Sequence, residues 1–548
     1  MPDQTMTDEP SVLRDALSDL PGAQSASDRG TSFAPAYSAA PPSSCPVSSP
    51  NPWWRIGDFG VLGLWIVVVS FAIKYHESCA DEAQAWLIAR DLDLPTIWFH
   101  ELRYEGTPGL WHTILWVAQH AFHAKYGAIS YIGMIGAAAG VALLILKAPF
   151  PRLIRWPLAF TYFMIYQYAV IARSYTLLPL LAFVAAIFFR DIRHPERMTV
   201  ALVLLANVSV HGAILAACFG LAYLIEAVSS WRTLEGQVRT RYQICVAVMV
   251  LTFLFLFIIL KPTPDVEVFV AKGEIANMPL AVQARFTATT LQKLSAVISG
   301  AFLDYWPSSL LFVVLAGAWC FMRRRFLTFA LPVGAMIALY SFHGAAHHQG
   351  TVFVSAISAT WIAWPSSEEQ RTFGMHERRA THGAAFLLLC LCAINIWDAV
   401  VAIHHEYLYP YSGAEDAAKY LKSAGADRKP IFGWLDGVVG VQPYFSHNIF
   451  ANIPTAYFHH GLPFAGNTIE VAELQLVNPE YVVVCTTAPE RMLQENSLKL
   501  KALGYEVVHF SDGYLLYKRT ISYRQVYLIF GRTRPSTGQT PAQFGPGK

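Results

Sequence analysis

Apolar runs recur along this chain at 59–75, 130–146, 158–172, 177–189, 199–210, 213–228, 246–260, 309–322, 327–342, 352–364 and 384–403. One soluble core cannot absorb so much apolar surface in a chain of 548 residues that is 54% hydrophobic and 14% charged; lipid has to act as part of the solvent. The pattern predicts a polytopic α-helical membrane protein of about eleven spans. A formal charge of +2 is too near neutral to suggest a nucleic-acid partner, which needs a clustered basic excess.

Basic residues fall between alternate pairs of runs: Lys147, Arg152 and Arg155; Arg190, Arg193 and Arg197; Arg232, Arg239 and Arg241; Arg323, Arg324 and Arg325; Arg371, Arg378 and Arg379. The positive-inside rule makes these five loops cytoplasmic and puts 173–175, 211–212, 343–350 and the C-terminal region outside. Residues 1–52, rich in Ser, Pro and Ala without an apolar face, are expected to be a disordered cytoplasmic tail. The first run comes too late and lacks a cleavage site, so it reads as an uncleaved span.

The segment 109–126 decides the parity of the chain. It carries His112, Gln119 and His123 within an arc of about 40° at roughly 100° per residue, which suits a helix lying along the outer surface. The loop 77–108 then joins the other polar loops outside; if the segment spans, that loop is separated from Arg173. The chain divides into a transmembrane domain at 53–403, with external juxtamembrane helices at 79–126, and an external α/β domain at 404–531. In the latter, a helix at 414–424 and strands at 430–434, 481–485, 506–510 and 514–517 are expected. The tail 532–548, with its Pro, Thr, Gln and Gly, reads as disordered. Most cysteines lie in apolar runs as small hydrophobes, and a Cys79–Cys485 pairing is disfavoured.

Two acidic clusters stand in the first polar loop. Asp81 and Glu82 open an amphipathic helix, where a plain structural reading makes Ser78 and Asp81 a capping box and Glu82 a dipole partner. Arg103, Tyr104 and Glu105 precede Thr107-Pro108, which suit the start of a helix. Arg173-Ser-Tyr175 places a forked cation and a phenol at an outer turn where topology needs no charge; a snorkelling arginine is the bland alternative. His347 and His348 could bind an anion or a metal, or be solvated interfacial histidines, and His211 shares that ambiguity with the plain reading favoured.

Asp81-Glu82 after an uncleaved first helix, Tyr104-Glu105-Gly-Thr-Pro108 and Arg173-Ser-Tyr175 together resemble the GT-C superfamily of membrane glycosyltransferases. The likeness spans 59–403, most specifically 81–112, and is nearest to glycosyltransferase family 39, which includes protein O-mannosyltransferases and lipid A aminoarabinose transferases. It implies a GT-C-like fold and transfer of a sugar from a polyprenyl-phosphate donor to a hydroxyl on an envelope lipid, glycan or protein acceptor. The reaction would occur on the external, periplasmic face of an inner membrane, without a nucleotide sugar. Asp81, Glu82 and Glu105 match the family's catalytic acids, and Asp81 and Glu105 would be ligands if a divalent metal takes part. Arg103, Arg173, Tyr175, His347 and His348 would hold the donor phosphate. Thr107-Pro-Gly109 departs from the usual His-Pro-Pro or Glu-Lys-Pro, so the acceptor class is not carried over. A polytopic transporter and a non-catalytic envelope assembly factor are the alternatives; a transporter would place its polar residues near the bilayer midplane, whereas here they cluster at helix ends.

Overall fold

A computed structural model describes residues 52–261, 280–343, 348–434, 436–458, 471–487 and 489–533. The expectations for 1–51, 534–548 and His347 fall outside these. Among the described residues, five helices are long and apolar enough to cross a membrane: Arg55–Tyr75, Ala128–Lys147, Val210–Ser229, Gly236–Leu260 and Met375–Leu408. Thr289–Ala301 and Trp306–Met322 meet at 70° and together could make a sixth span, while Ser174–Phe188 and Phe326–Ser341 are shorter apolar helices. The protein is a polytopic α-helical membrane protein with a C-terminal α/β region.

Fewer runs become long helices than the hydropathy suggests, because several are wrapped in protein. The run at 158–172 breaks into an Arg152–Ala159 helix with Pro157 inside it and a π-helical turn at Phe163–Gln167. Residues 161–172 are buried without interruption. The run at 352–364 becomes the Gln349–Ala363 helix, buried along all 15 residues. Hydropathy alone does not separate a helix facing lipid from one buried on every side. The Leu280–Ala301 helix, by contrast, lies outside every predicted run.

The basic loops gather on one face. Arg190 and Arg323 both reach Glu369, at 3.6 and 3.2 Å, and Arg325 pairs with Glu226. Arg152 pairs with Asp58 (3.1 Å) near the start of helix α1 (Pro52–Tyr75). The helices that begin at Ser174, Val210 and Gln349 start instead around one shared cleft, on what we call the site face.

Met375–Leu408 carries the chain back to the site face, where the Ala414–Ser423 helix packs on a four-stranded sheet of order β1-β2-β4-β3. β1 (Ile431–Trp434) runs parallel to β2 (Tyr481–Thr486), while β4 (Thr520–Arg532) is antiparallel to both β2 and β3 (Tyr505–Tyr517). Alternation sends Val483 and Ile529 toward Ala417 and Leu421 on one face, and Val482 and Leu528 toward Leu500 on the other. The two predicted strands at 506–510 and 514–517 are one long strand with irregular register at Val507/His509, and β4 was not expected.

The tip of the β3–β4 hairpin docks on the membrane helices. Lys518 contacts Asp304 (2.5 Å) and Asp398 (3.2 Å), Arg519 contacts the same pair (2.6 and 2.8 Å), and the Tyr517 hydroxyl donates to Gln349 (2.7 Å). Asp398 is fully buried. Removing Asp398 leaves Lys518 and Arg519 to share Asp304, so the buried Lys518 ammonium loses one of its two carboxylate partners. Asp398→Ala is therefore expected to lower the melting temperature and to speed limited proteolysis of the β3–β4 hairpin; an unchanged cleavage rate would show that the apolar contacts alone dock it.

Candidate active site

The site is built where α1 ends. After Tyr75 the chain turns through His76 to Cys79 and starts α2 (Ala80–Asp91), with Cys79 at the N-cap. The cap is thus one residue later than the Ser78/Asp81 box expected from the sequence: Glu82 reaches back to accept the Cys79 N–H (2.9 Å). This shift leaves the Asp81 side chain out of the cap.

Glu82 is wholly buried, and its carboxylate is already engaged. Besides Cys79, one oxygen meets His76 Nε2 (3.1 Å), and the other accepts the backbone N–H of Ala172 (2.8 Å). The other ring nitrogen of His76, Nδ1, lies 2.6 Å from Glu406, whose second oxygen accepts from the Tyr166 hydroxyl (2.5 Å). Both imidazole nitrogens face carboxylates, so both carry protons. Burial works against that charge, but Glu82 and Glu406 outweigh it and hold the His76 pKa up at about 10. Burial likewise raises the Glu82 carboxyl, but His76 and the two backbone donors outweigh it and leave it below its ordinary value. Glu82, expected from the sequence as a catalytic acid, thus has both oxygens engaged in this framework and is not part of the cleft wall described next.

Its bond to Ala172 fixes the residue next to Arg173. Asp81 and Arg173 then meet as an ion pair, Oδ2 to Nη1 at 3.2 Å. The first polar loop and Arg173 accordingly share one side. Both line a cleft of about 290 Å³ together with Gln84, Glu105, Thr107, His112, Tyr175, His211 and His348. Gln84 donates to Glu105 (2.9 Å) and to the carbonyl of Phe458 (2.6 Å), tying the C-terminal region to the cleft. The Tyr175 hydroxyl lies 3.0 Å from His211 Nδ1, and His211 packs on His348 with ring centroids 4.6 Å apart.

Two glycines shape the loop that carries Glu105. Gly106 adopts φ +60°, a left-handed conformation that a side chain would strain. A Cβ on Gly109 would lie 2.6 Å from the Trp98 ring. The following helix starts at Leu110, later than the Thr107-Pro108 start expected, so Thr107 lines the cleft and does not cap. That helix, Leu110–Phe122, has 13 residues and packs on α2; of its polar stripe His112 is buried, Gln119 is half-buried and His123, just past its end, is exposed. Gln119 donates to the Trp86 carbonyl (3.1 Å), and His112 is buried in the cleft wall. Neither ring nitrogen of His112 has a hydrogen-bond partner, and burial holds its pKa down at about 4, so it is neutral near pH 7.

Of the residues singled out from the sequence, Asp81, Glu105, Arg173, Tyr175 and His348 come together. Arg103 does not: its guanidinium donates to the Phe99 carbonyl one turn back, and it is not part of the cleft wall. Gln84 and the His76–Glu406 pair were missed. A carboxylate at the end of an apolar helix, as Glu406 is, was the available signal, because such a charge is costly unless paired. Among the described residues, no group of three His, Cys, Asp or Glu side chains has metal-holding geometry. Cys79 and Cys485 are both buried, and neither is part of a disulfide.

No protein-family model matches the chain, and neither does any curated protein. Among solved structures, it is similar to the crystal structure of ArnT from Cupriavidus metallidurans bound to undecaprenyl phosphate. The sequence identity is 12%, the alignment covers 88% of this chain and 98% of that one, and the TM-score is 0.46.

The His76 network has a pH signature. His76, raised above its ordinary 6.5, contributes stability that is complete below about 6.5 and lost as pH rises toward about 10. Glu82, depressed below 4.5, contributes stability that is present above 4.5 and lost as pH falls through its lowered value. The melting temperature of the purified protein is expected to fall between pH 7 and 10. His76→Gln should melt lower and lose that component of the slope; an unchanged slope in this variant would assign it to other groups.

Proposed function

We propose that the cleft transfers a sugar from a polyprenyl-phosphate donor to an acceptor hydroxyl, with the site face on the external side of the membrane. The Asp81–Arg173 pair carries this reading, since it sets a carboxylate and a guanidinium 3.2 Å apart in one cleft. Glycosyl transfer needs these two groups: a base for the acceptor hydroxyl and a cation for the phosphate that leaves.

Arg173 uses one nitrogen on Asp81, and the remaining N–H groups of its fork are suited to phosphate oxygens. The Tyr175 hydroxyl, beside His211, adds a further donor. Asp81 takes the proton of the acceptor hydroxyl as its oxygen bonds to the anomeric carbon. The bond from that carbon to the phosphate oxygen breaks, and its electron pair leaves with the phosphate, where Arg173 stabilises the charge. Glu105 and neutral His112 offer an acceptor and a donor to the sugar hydroxyls from the same wall. No step uses a metal. The apolar helices beside the cleft suit a donor whose tail stays in lipid.

The test is mass spectrometry of envelope glycans and polyprenyl-phosphate sugars in cells carrying the intact protein, a deletion, or Asp81→Asn at matched levels. Loss of one glycan with accumulation of its lipid-linked donor is expected in both altered strains. Loss of a general base lowers turnover by about 10²–10⁴-fold. A deletion phenotype that Asp81→Asn does not share would remove Asp81 from the chemistry and favour a transport or assembly role.

A further inference from the structure

A second and larger cleft, of about 960 Å³, lies on the other side of α2. Asp81, Gln84 and Ala85 line the first cleft, while Trp86 and Arg90, one turn apart on another face of the helix, line the second. The wall is completed by Lys74 at the end of α1, by His120 in the last turn of Leu110–Phe122 and His123 and Lys125 just after it, by Tyr131, and by Tyr444 and Phe445 of the C-terminal region. The chemistry of this wall is independent of the glycosyl-transfer reading of the first cleft.

The charge of this wall is mostly positive. Its carboxylate, Glu415, is engaged by Lys419 (2.7 Å), and Arg90 is held by Asp91 (2.6 Å) and the Phe445 carbonyl (2.8 Å). Lys74 and Lys125 are exposed, and among the described residues neither is ion-paired. They stand far from the basic loops: at 1.5 Å per residue, Lys74 is roughly 30 Å along α1 from Arg55. Cations on the site face are thus not part of the alternation that fixes topology.

The cleft also has an apolar mouth. Tyr131 is 48% exposed, and Ile135, one turn further into the Ala128–Lys147 span, is 67% exposed. Cationic groups beside aromatic and aliphatic surface at a membrane boundary match an anionic head joined to an acyl chain.

We propose that this second cleft binds the phosphate-bearing headgroup of an anionic lipid. Lys74 and Lys125 meet the phosphate, His120 and His123 supply polar contacts, and the first part of the tail follows Tyr131 and Ile135 into the bilayer. A free phosphate would satisfy the same cations but would not use the apolar mouth.

Native mass spectrometry of the detergent-purified full chain tests this with phosphatidylglycerol, phosphatidylcholine and inorganic phosphate as probes. Phosphatidylglycerol is expected to be retained in preference to phosphatidylcholine, and Lys74→Gln with Lys125→Gln should weaken it by about tenfold or more, given roughly 1 kcal/mol per cation near an anionic lipid. Lys74→Arg with Lys125→Arg should retain it, which separates loss of charge from misfolding. Equal retention of the two lipids, or undiminished phosphatidylglycerol binding in the Gln pair, would overturn the site. Displacement of phosphatidylglycerol by inorganic phosphate at equal concentration would also overturn the lipid as occupant, leaving a free-anion site.

Discussion

The geometry of the Asp81–Arg173 cleft depends on one buried imidazolium. His76 stands between Glu82 and Glu406, 3.1 and 2.6 Å away, and all three side chains are sealed from solvent. Two carboxylates at that depth would repel each other and meet a heavy desolvation cost without a cation between them. With it, the network joins the end of α1, the start of α2 and the end of the Met375–Leu408 helix, and Tyr166 adds the π-helical turn. Glu82 then transmits this rigidity through the Ala172 N–H to Arg173, so a structural charge network sets the position of a chemical one. Such support is what a catalytic pair needs, because misplacement of about 1 Å is enough to cost much of a rate.

Helix α2 is a partition as well as a support. One face presents Asp81 and Gln84 to a cleft of about 290 Å³, and another presents Trp86 and Arg90 to a cleft of about 960 Å³. The Leu110–Phe122 helix lies against it and contributes to both, His112 to the smaller and Gln119 to the larger. The C-terminal region closes the arrangement through Phe458 on Gln84 and Phe445 on Arg90, while Lys518 and Arg519 hold its far edge at Asp304 and Asp398.

The helical membrane architecture was legible in the sequence because apolar runs and basic loops are signals of composition and need no knowledge of tertiary contacts. The number of long helices was not, since the runs at 158–172 and 352–364 are as apolar as a span yet are enclosed by protein. That Asp81, Glu105, Arg173 and Tyr175 would gather at one place was legible for a related reason: charge and phenol at helix ends have few other uses there. Glu82 and Arg103 lie outside the cleft wall because a one-residue shift of a cap and one turn of a short helix decide which way a side chain points. Gln84 and the His76 network were invisible, since their partners, Phe458 and Glu406, lie hundreds of residues away.

The central claim is that Arg173, held by this framework, is the phosphate-binding group of the cleft. Its most direct test is the affinity of the purified protein for polyprenyl phosphate, measured for the wild-type chain, Arg173→Gln and Arg173→Lys with melting temperatures recorded alongside. The account predicts a loss of about tenfold or more for Arg173→Gln, as expected when a charge-assisted hydrogen bond worth ~1.5–3 kcal/mol is removed, and partial recovery with Lys. Unchanged affinity in a folded Arg173→Gln protein would contradict it.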